Sequence, residues 1–560
     1  MANPLKRPIK QFPALYRFYL AAKNKVLRLL QGPLRAVGID YMPPADPIAE
    51  VRRVRRSSRS GKPGDGPRVL LLSLRGWANH LLWETTLAHA LQLRGARCDL
   101  VACDHVLPVC DTKIVTDMSP ALCDYCGRLA RNVPTAFGLR VHRLSTFAPR
   151  EKLTEMQDRV RSEATLGLAD RAVAGLRIGD AIEASLARFT LTGSATSDAP
   201  TVAVARRGFL ASAEFLATAY ETMLDQLRPD RIVMLNGLFL PEQLMMALAR
   251  ERGIEVLTYE QGGYIRNSLV FAWNRPANRE MLTEPWSHYR DLPLTEAEEA
   301  RLDQYVLQRA SGAVGSQRLW PEMQADRQAI RAHLALDDRP IVSVFTNILW
   351  DTAMYQTQVG FSSMFDWLQV TISELSRRPD LQTVLRVHPA EVRIKNRESR
   401  DPVLARFRAA FPDPPQHIHL VGPEETLSSY ALIDMSRAVA VYNTTIGVEA
   451  ALRGVPVALS ALAHFRGKGF TTDIESPQQY RDWLRELPGV PPLTPEQTAL
   501  ARRYAYLYFF RFLVPFRFVE THDYGPRLTY QTLDELGPGR DAFLDRICNA
   551  ILDVSPIAMN

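Results

Sequence analysis

The chain alternates short, continuously apolar runs with longer segments in which apolar residues recur every three or four positions. The run at residues 68–74 (RVLLLSL) precedes a segment of helical periodicity at 76–93, and a second apolar run follows at 98–103. Buried parallel strands are typically short apolar runs, and the helices that connect them show a 3.6-residue period. This order of strand, helix and strand predicts the start of a doubly wound parallel sheet.

The same alternation continues through most of the chain. It predicts two further strands of the first sheet, at 231–235 and 255–259, on either side of a helix near 241–252. It predicts a second sheet with strands at 341–346, 383–387, 417–421, 438–442 and 456–458. Two helices, at 295–310 and 323–334, are expected to bridge the sheets. The pattern therefore predicts an α/β protein in which two Rossmann-like, doubly wound parallel sheets face one another across a cleft.

These elements divide the chain into five segments, as expected for 560 residues, a length at which a single core no longer grows. In order, we expect a basic amphipathic segment and linker (1–66), an N-terminal Rossmann-like lobe (67–290), a helical linker (291–338), a C-terminal Rossmann-like lobe (339–485) and a C-terminal helical tail (486–560). The tail is rich in aromatic residues between 504 and 518, which we expect to lie in the core or at contacts between the lobes.

The net charge of +7 is concentrated at the N-terminus. Residues 1–60 contain thirteen Lys or Arg and three Asp or Glu, so the rest of the chain carries a net charge of −3. The rest of the chain is therefore not basic overall, and no nucleic-acid partner is expected.

Within the basic segment, Leu15, Phe18 and Val26 recur at helical spacing, while Arg17 and Lys25 fall on the opposite face. Such a helix can lie on an anionic bilayer, where each Lys or Arg contributes roughly 1 kcal/mol, or it can dock on the protein body. The sequence leaves both alternatives open. Charged residues interrupt the apolar stretches, so neither a membrane-spanning helix nor a signal peptide is expected. We therefore expect a cytoplasmic protein, peripheral at the inner membrane if the first alternative holds.

A candidate ligand site follows the strand predicted at 383–387. The segment TVLRVHPAE ends in Arg386, His388, Pro389 and Glu391, and a parallel strand delivers such residues to the ligand crevice. His388 can donate a hydrogen bond to a phosphate, Arg386 can supply a fixed positive charge, and Pro389 stiffens the turn. This segment therefore predicts contacts with an anionic ligand.

A second candidate anion site lies where the next strand leads into a helix. In AVYNTTIGVE, Asn443, Thr444 and Thr445 precede a helix that contains Glu449. Hydroxyls and free amides at a helix start can bind a phosphate, and Glu449, about a turn and a half further on, can face ribose hydroxyls. The alternative is an ordinary helix cap. In the following loop, AHFRGKGF, Lys468 is a further candidate phosphate contact.

The segment YEQGGYIR, at the end of the strand predicted at 255–259, supplies a candidate for proton transfer. Glu260 is expected to point into the cleft, and an acidic residue between low-dielectric walls can act as the base that deprotonates a hydroxyl. Gly262 and Gly263 are expected to let the chain turn sharply and approach a substrate closely.

The segments HPAE, NTTIGVEAALRGVPV and EQGGYIR resemble the motifs of the capsule polysaccharide biosynthesis proteins, over roughly residues 230–475. Members of that family include transferases of 3-deoxy-manno-octulosonate (Kdo) from its CMP-activated form. The resemblance implies a GT-B fold and a glycosyltransferase with a nucleotide-sugar donor and a polysaccharide or glycolipid acceptor. It also implies that the His-Pro pair and the two threonines contact the donor, and that Glu260 acts as base.

One position departs from the pattern of that family. Many members carry two adjacent acids before the glycine, whereas the second residue here is Gln261. If the second position carries the chemistry, the base lies elsewhere, and the reserve candidates are Asp351 in FTNILWDTA and His80 in RGWANHLLWE. We expect no cofactor requirement for catalysis, because protein cations and helix ends can stabilise the leaving group. The alternative functions are a nucleotide-sugar epimerase or hydrolase on the same fold, and a non-catalytic scaffold of a capsule assembly complex.

Five of the six cysteines lie between residues 98 and 126. In a cytosolic protein, such a cluster indicates a metal site before it indicates disulfides. Cys103, Cys110, Cys123 and Cys126 are the candidate ligands of a structural zinc ion, although six residues rather than two to four separate the first two. Buried free thiols are the alternative.

Overall fold

The computed structural model describes residues 10–36, 45–55, 64–193, 200–263, 265–279, 282–310, 323–394, 397–522 and 525–557. Tyr264, within the YEQGGYIR segment, lies outside the described residues, as do residues 41–44 and 56–63 of the predicted linker. The described residues form two α/β lobes, preceded by two helices and followed by a tail.

The helices that precede the first lobe are α1 (Pro13–Ala36) and α2 (Pro47–Arg55). Helix α2 falls within the segment predicted to be a linker, so that prediction is wrong for these residues. Val51 and Val54 of α2 are fully buried, because a spacing of three residues places both on one face of the helix. The apolar positions of this nine-residue helix, Ile48, Ala49, Val51 and Val54, span less than two turns, which is too short a pattern to indicate it from the sequence.

Helix α1 docks on the body and also leaves apolar residues exposed. Lys10, just before the helix, forms an ion pair with Asp117, and Arg17 pairs with Asp124 at 2.8 Å. The exposed apolar side chains of the helix include Leu15, Phe18, Val26 and Leu29. In the part of the chain that the structure describes, no helix is long and apolar enough to cross a membrane.

The N-terminal lobe begins at the first apolar run. Its strands are β1 (Arg68–Leu72), β2 (Arg97–Ala102), β3 (Arg140–Arg143), β4 (Ala172–Val173), β5 (Leu176–Arg177), β6 (Arg231–Leu235), β7 (Glu255–Gln261) and β8 (Ser268–Trp273). Its helices are α3 (Ala78–Gln92), α4 (Pro120–Phe137), α5 (Arg150–Arg159), α6 (Ile178–Thr190), α7 (Pro200–Leu227) and α8 (Leu240–Glu251). The main sheet has the order β8–β7–β6–β1–β2–β3, with all pairs parallel except β7 with β8. Strands β4 and β5 form a separate hairpin.

A helical linker leads to the C-terminal lobe. The linker helices are α9 (Thr283–Tyr289), α10 (Glu296–Ala310) and α11 (Arg327–His333). The strands of the second lobe are β9 (Ile341–Phe345), β10 (Gln382–Arg386), β11 (Ile418–Val421), β12 (Ser436–Val441), β13 (Val457–Leu459) and β14 (Thr472–Asp473). Its helices are α12 (Met364–Leu375), α13 (Ala390–Arg393), α14 (Val403–Ala410), α15 (Ser429–Met435), α16 (Ile446–Ala451) and α17 (Pro477–Glu486). The sheet has the order β11–β10–β9–β12–β13–β14, and its strands are parallel.

The C-terminal tail returns to the first lobe. Its elements are α18 (Pro495–Tyr506), a π-helical turn (Leu507–Phe512), β15 (Val514–Pro515), β16 (Val519–His522), β17 (Gly525–Leu528) and α19 (Ala542–Asp553). The tail was expected to be helical, and the structure adds strands to it. Strand β15 extends the first sheet by pairing antiparallel with β8, and α19 packs against α3.

The two lobes meet beside a cleft at the carboxyl ends of their parallel strands. A small apolar cluster joins Ile114 and Leu191 of the first lobe to Ile348, Trp350 and Ala390 of the second. Two Rossmann-like sheets that face one another in this way form a GT-B-like architecture, and the predicted fold class is confirmed.

Candidate functional site

The cleft between the lobes has a volume of about 970 Å³. Loops at the carboxyl ends of β1, β6 and β7 line one side, and loops at the ends of β9, β10 and β12 line the other. The predicted site residues on its walls are His80, Glu260, Asp351, His388, Asn443, Thr444 and Thr445. Further wall residues, which the sequence analysis did not select, include Arg188, Asn236, Arg309, Arg397, His464, Tyr508 and Phe512.

Glu260 lies at the end of β7 with both carboxylate oxygens hydrogen-bonded. Asn236, at the end of the adjacent strand β6, donates to Oε2 at 2.9 Å, and the main-chain N–H of Gln261 donates to Oε1 at 2.7 Å. Burial raises the pKa of Glu260, and the charge of Asp351 across the cleft adds to that rise, while the two hydrogen bonds oppose it. Glu260 is therefore a positioned carboxyl group that takes up a proton more readily than an exposed one.

Both glycines after Glu260 lie on the wall of the cleft. A Cβ atom at Gly262 would lie 2.1 Å from the Ser268 hydroxyl oxygen, so a larger residue there would displace the turn between β7 and β8. The close approach of these glycines to a substrate stays a prediction.

His80 is held by a hydrogen-bonded chain that runs into the core of the first lobe. Tyr259 donates its hydroxyl proton to Glu84 at 2.6 Å, so the Tyr259 oxygen accepts the Nδ1–H of His80 at 3.2 Å. Burial, together with Arg75 and Arg188, lowers the pKa of His80 to about 3, and burial raises the pKa of Glu84 to about 7. His80 is therefore neutral near pH 7, and the lone pair of its Nε2 is left to accept a hydrogen bond.

His388 has the opposite tautomer. The main-chain N–H of Ala390 donates to Nδ1 of His388 at 3.1 Å, so the proton of the neutral ring resides on Nε2. Burial lowers the pKa of His388 to about 4. Near pH 7, the ring therefore presents one N–H donor and no net charge.

Asn443, Thr444 and Thr445 form the wall beside His388 at the end of β12. Asn443 donates from Nδ2 to the main-chain oxygen of Ala353 at 2.9 Å. The Thr445 hydroxyl lies 3.5 Å from Nε2 of His464. The Thr445 side chain makes no capping hydrogen bond to α16, and the anion site at the start of this helix stays a prediction.

Asp351 stands in the loop after β9, on the opposite wall from Glu260. Its Oδ1 accepts the main-chain N–H of Ala353 at 2.8 Å, and the residue is exposed. The cleft thus places two carboxyl groups, one from each lobe, within electrostatic range of each other.

The tail contributes an aromatic wall that the sequence analysis assigned to the core or to lobe contacts. His464 stacks on Tyr508 with ring centroids 4.0 Å apart, and Tyr508 stacks on Phe512 at 6.0 Å. Tyr504 donates its hydroxyl proton to the main-chain oxygen of His464 at 2.7 Å and lies 2.8 Å from Nδ1 of the same ring. The spacing of four residues from 504 to 508 to 512 was the available signal, because it places these rings on one helical face.

Several predicted donor contacts are held inside the second lobe instead. Arg386 is buried and donates to the main-chain oxygens of Gly422 and Glu425 at 2.6 and 2.9 Å. Glu391 is buried and accepts the main-chain N–H of Val403 at 3.0 Å. These hydrogen bonds join loops within the lobe, so the structure does not bring either side chain to the wall of the cleft.

Glu449, Pro389 and Lys468 also lie behind the wall. Glu449 is buried and accepts hydrogen bonds from Arg309 at 3.0 Å and from Tyr430 at 3.1 Å. Arg309 itself lines the cleft, so Glu449 contributes to the cleft by holding the guanidinium of Arg309 in place. Pro389 is the N-cap of α13. Lys468 is buried, and its charge helps to lower the pKa of His464.

The four cysteines of the predicted zinc site line one small cavity of about 30 Å³ together with His105. Their thiols are free, and burial raises the pKa of Cys103 and Cys126 to about 12. Among the described residues, the side chains do not form any group of three or more His, Cys, Asp or Glu arranged to hold a metal ion. The structural zinc site remains a prediction.

No protein-family model and no curated protein matches the chain. Solved structures that are similar include two of Thermosulfurimonas dismutans KpsC. The beta Kdo 2,4 transferase is 14% identical, over 55% of this chain and 87% of that one, with a TM-score of 0.34. The beta Kdo 2,7 transferase is 16% identical, over 51% and 79%, with a TM-score of 0.30.

A UDP-GlcNAc 2-epimerase from Neisseria meningitidis, bound to UDP-GlcNAc, is also similar. It is 10% identical, over 78% of this chain and 94% of that one, with a TM-score of 0.23. Scores and identities this low establish neither an activity nor a substrate for this chain, so its function has to be inferred from the cleft itself.

Proposed function

We propose that the protein is a glycosyltransferase that moves a sugar from a nucleotide donor to an acceptor hydroxyl group. The observation that carries the proposal is the pairing of two different walls across one cleft. One wall presents the hydrogen-bonded carboxyl group of Glu260, and the other presents the N–H of His388 beside Thr444 and Thr445. A transfer reaction needs a proton acceptor on one side of the sugar and a binding site for the leaving phosphate on the other.

On the N-terminal wall, Glu260 is the proposed base. The acceptor O–H bond breaks as its proton passes to the Glu260 carboxylate, and the oxygen forms a bond to the anomeric carbon. The bond from that carbon to the donor phosphate breaks, and the nucleotide leaves with the electron pair. Asn236 orients the carboxylate through its 2.9 Å hydrogen bond, and the raised pKa of Glu260 favours proton uptake.

On the C-terminal wall, His388 is the proposed contact of the leaving phosphate. Its neutral ring donates from Nε2, and a donor in a partly buried site stabilises the charge that develops on a departing phosphate oxygen. Thr444 and Thr445 supply hydroxyl groups on the same wall.

The finer proposal is a CMP-Kdo donor and a capsule or other cell-surface polysaccharide or glycolipid acceptor. It depends on the motif resemblance of HPAE, NTTIGVEAALRGVPV and EQGGYIR. The exposed apolar side chains of α1, within a basic segment, support a site at an anionic membrane surface, where a lipid-linked acceptor would be found.

The test is release of free nucleotide from CMP-Kdo and from UDP- and GDP-sugars, each measured with and without a polysaccharide or glycolipid acceptor. We expect release that depends on the acceptor and is lost in Glu260→Gln. Interconversion of nucleotide sugars without acceptor would instead identify an epimerase. Nucleotide binding without any turnover would identify a scaffold.

A further inference from the structure

Among the residues that the structure describes, two guanidinium groups of the cleft have no carboxylate within 4.0 Å. Arg188 belongs to α6 of the first lobe, and Arg397 belongs to the loop after α13 of the second lobe. Both lie on the wall of the cleft, and neither forms an ion pair within 4.0 Å with any residue that the structure describes. The pairing of charges in this cleft is therefore incomplete on both lobes.

The guanidinium of Arg188 packs on two aromatic rings, and the carboxyl groups of Asp351, Asp111 and Glu260 act on its charge from a distance. Its guanidinium carbon lies 5.9 Å from the ring centroid of Trp77 and 5.3 Å from that of Trp350. Its Nε is buried and has no hydrogen-bond partner among the described residues. Rings from both lobes thus pack against the guanidinium, and its Nε–H has no acceptor among the described residues.

Arg397 makes one long hydrogen bond, from Nη2 to the main-chain oxygen of Thr112 at 3.4 Å. Its Nη1 is buried and lacks a hydrogen-bond partner in the described part of the chain. Burial lowers the pKa of Arg397 to about 10, and the charge of Arg188 adds to that effect. The two cations are therefore close enough to repel each other, and the charge of Asp111 offsets part of that effect on Arg397.

Arg75 shows how the same fold treats a structural arginine. It is buried in the first lobe, and Asp111 and Glu242 accept its hydrogen bonds at 2.5 to 3.2 Å. Although burial alone lowers it, the pKa of Arg75 is raised well above its ordinary value by these two carboxylates. The charge of Arg75 is thus neutralised by two carboxylates in direct contact, which Arg188 and Arg397 do not have among the described residues.

We propose that Arg188 and Arg397 together bind an oxyanion of the ligand, either a carboxylate on a sugar or a phosphate of the donor. A planar oxyanion accepts two parallel N–H hydrogen bonds from a guanidinium and would neutralise both cations. The identity of the ligand as a nucleotide sugar rests on the proposed function, but the oxyanion site does not. Because the two arginines come from different lobes, the bound anion would also hold the lobes together.

The experiment compares the unaltered chain with Arg188→Gln, Arg397→Gln and the control Arg393→Gln. Arg393 is an exposed residue of α13, so its replacement removes the same charge away from the cleft wall. Calorimetric titrations use inorganic pyrophosphate, and glucuronate against glucose, none of which contains a nucleotide. They then use UDP-glucuronate against UDP-glucose, which differ by one carboxylate, and uridine as an uncharged reference. Circular dichroism melts establish that each variant is folded.

We expect Arg188→Gln and Arg397→Gln each to weaken binding of the oxyanion ligands by about tenfold to hundredfold. Arg393→Gln should change none of the affinities. A loss confined to the glucuronate forms assigns the site to a sugar carboxylate, and an equal loss for pyrophosphate and both UDP-sugars assigns it to a phosphate. Unchanged anion affinity in both folded variants would overturn the proposal, as would an equal loss for uridine. If UDP-sugars fail to bind at all, the pyrophosphate and glucuronate titrations still decide the oxyanion site. The proposed function is decided separately, by acceptor-dependent nucleotide release from CMP-Kdo and from UDP- and GDP-sugars.

Discussion

The two walls of the cleft are built from different kinds of groups. The N-terminal wall carries an ionisable carboxyl group, Glu260, held by Asn236, and the His80 ring, which is connected through Tyr259 to Glu84. On the C-terminal wall, the ends of β10 and β12 present uncharged groups, namely the His388 ring, two threonine hydroxyls and an asparagine amide, while Asp351 and Arg397 lie elsewhere on that wall. Proton transfer requires groups of the first kind, and binding a phosphate without a pH-dependent charge requires groups of the second kind. We therefore assign proton transfer to the N-terminal wall and binding of the nucleotide phosphate to the C-terminal wall.

The largest expected effect is a loss of turnover from a change on the N-terminal wall. Replacement of Glu260 by Gln keeps the shape of the side chain and removes its ability to accept a proton. We expect turnover to fall about 10²- to 10⁴-fold while nucleotide affinity stays within about twofold. Steady-state rates and calorimetric titration measure the two quantities separately. Glu251→Gln, at an exposed carboxyl group of α8, is the control and should retain full turnover. A parallel loss of nucleotide affinity in Glu260→Gln would contradict the assignment of proton transfer to the N-terminal wall and of nucleotide binding to the C-terminal wall.

The second effect concerns Glu84, which lies buried behind the N-terminal wall, and the pH dependence of stability that it causes. The pKa of Glu84 is raised from 4.5 to about 7 by burial, so the stability that it contributes is fully present below about pH 4.5 and lost as pH rises through 7. As the pH is raised from 5 to 8, the unaltered chain should therefore lose about 2 to 3 kcal/mol of unfolding free energy that Glu84→Gln does not lose. Urea unfolding at the two pH values measures this change.

The matched control is Glu221→Gln, an exposed carboxyl group of α7, which should show the same difference from the unaltered chain at both pH values. A pH-independent difference for Glu84→Gln would mean that Glu84 is ionised in the folded protein throughout this range. The hydrogen-bonded chain to His80 would then need a different account.

The third effect is a loss of nucleotide affinity from a change on the C-terminal wall. His388→Ala removes one N–H donor to the phosphate, and we expect nucleotide affinity to fall about tenfold to hundredfold. Because the pKa of His388 is about 4, this contribution should be constant from pH 6 to pH 8. Affinity measured across that range checks both points. His333→Ala, at an exposed histidine of α11, should leave affinity unchanged. An affinity that falls as the pH is raised would show instead that His388 binds as a cation.

The smallest effect concerns the aromatic part of the wall. Tyr508 stacks on His464 and reaches the cleft, and loss of its ring in Tyr508→Leu should weaken nucleotide binding by about threefold to tenfold. Tyr508→Phe keeps the ring and should bind like the unaltered chain. If the Phe variant loses as much affinity as the Leu variant, the hydroxyl group is the contact and stacking is not.

The sequence predicted most of the two parallel sheets, because each buried strand is a short apolar run. Strand β6 occupies the predicted residues 231–235, whereas β15 was missed because two residues of the distant tail carry no strand pattern. The same limit applies to the site. Glu260 and His388 follow strands directly, so their position is encoded locally, and the structure places both on the cleft. Arg386 has an equally suggestive position, but carbonyl groups of a loop more than thirty residues away hold it inside the lobe.

Long-range packing also explains the residues that the sequence analysis did not select. Arg188 reaches the cleft from a helix of the first lobe, and only the folded chain shows that its guanidinium lacks a carboxylate. The linker prediction failed at α2 for a related reason, since Val51 and Val54 become apolar anchors only when the first lobe is present to bury them. Local patterns therefore predict strand ends well and side-chain partners poorly.

The most direct test of the division between the walls is a hydrogen-exchange footprint of nucleotide binding. Amide exchange of the unaltered chain is followed by mass spectrometry with and without saturating CMP, UDP or GDP. The account predicts that the nucleotide that binds slows exchange in peptides covering residues 387–391 and 442–446, and leaves the peptide covering 259–263 unchanged. Slowed exchange at 259–263 alone would place the nucleotide on the wall of Glu260 and contradict the account.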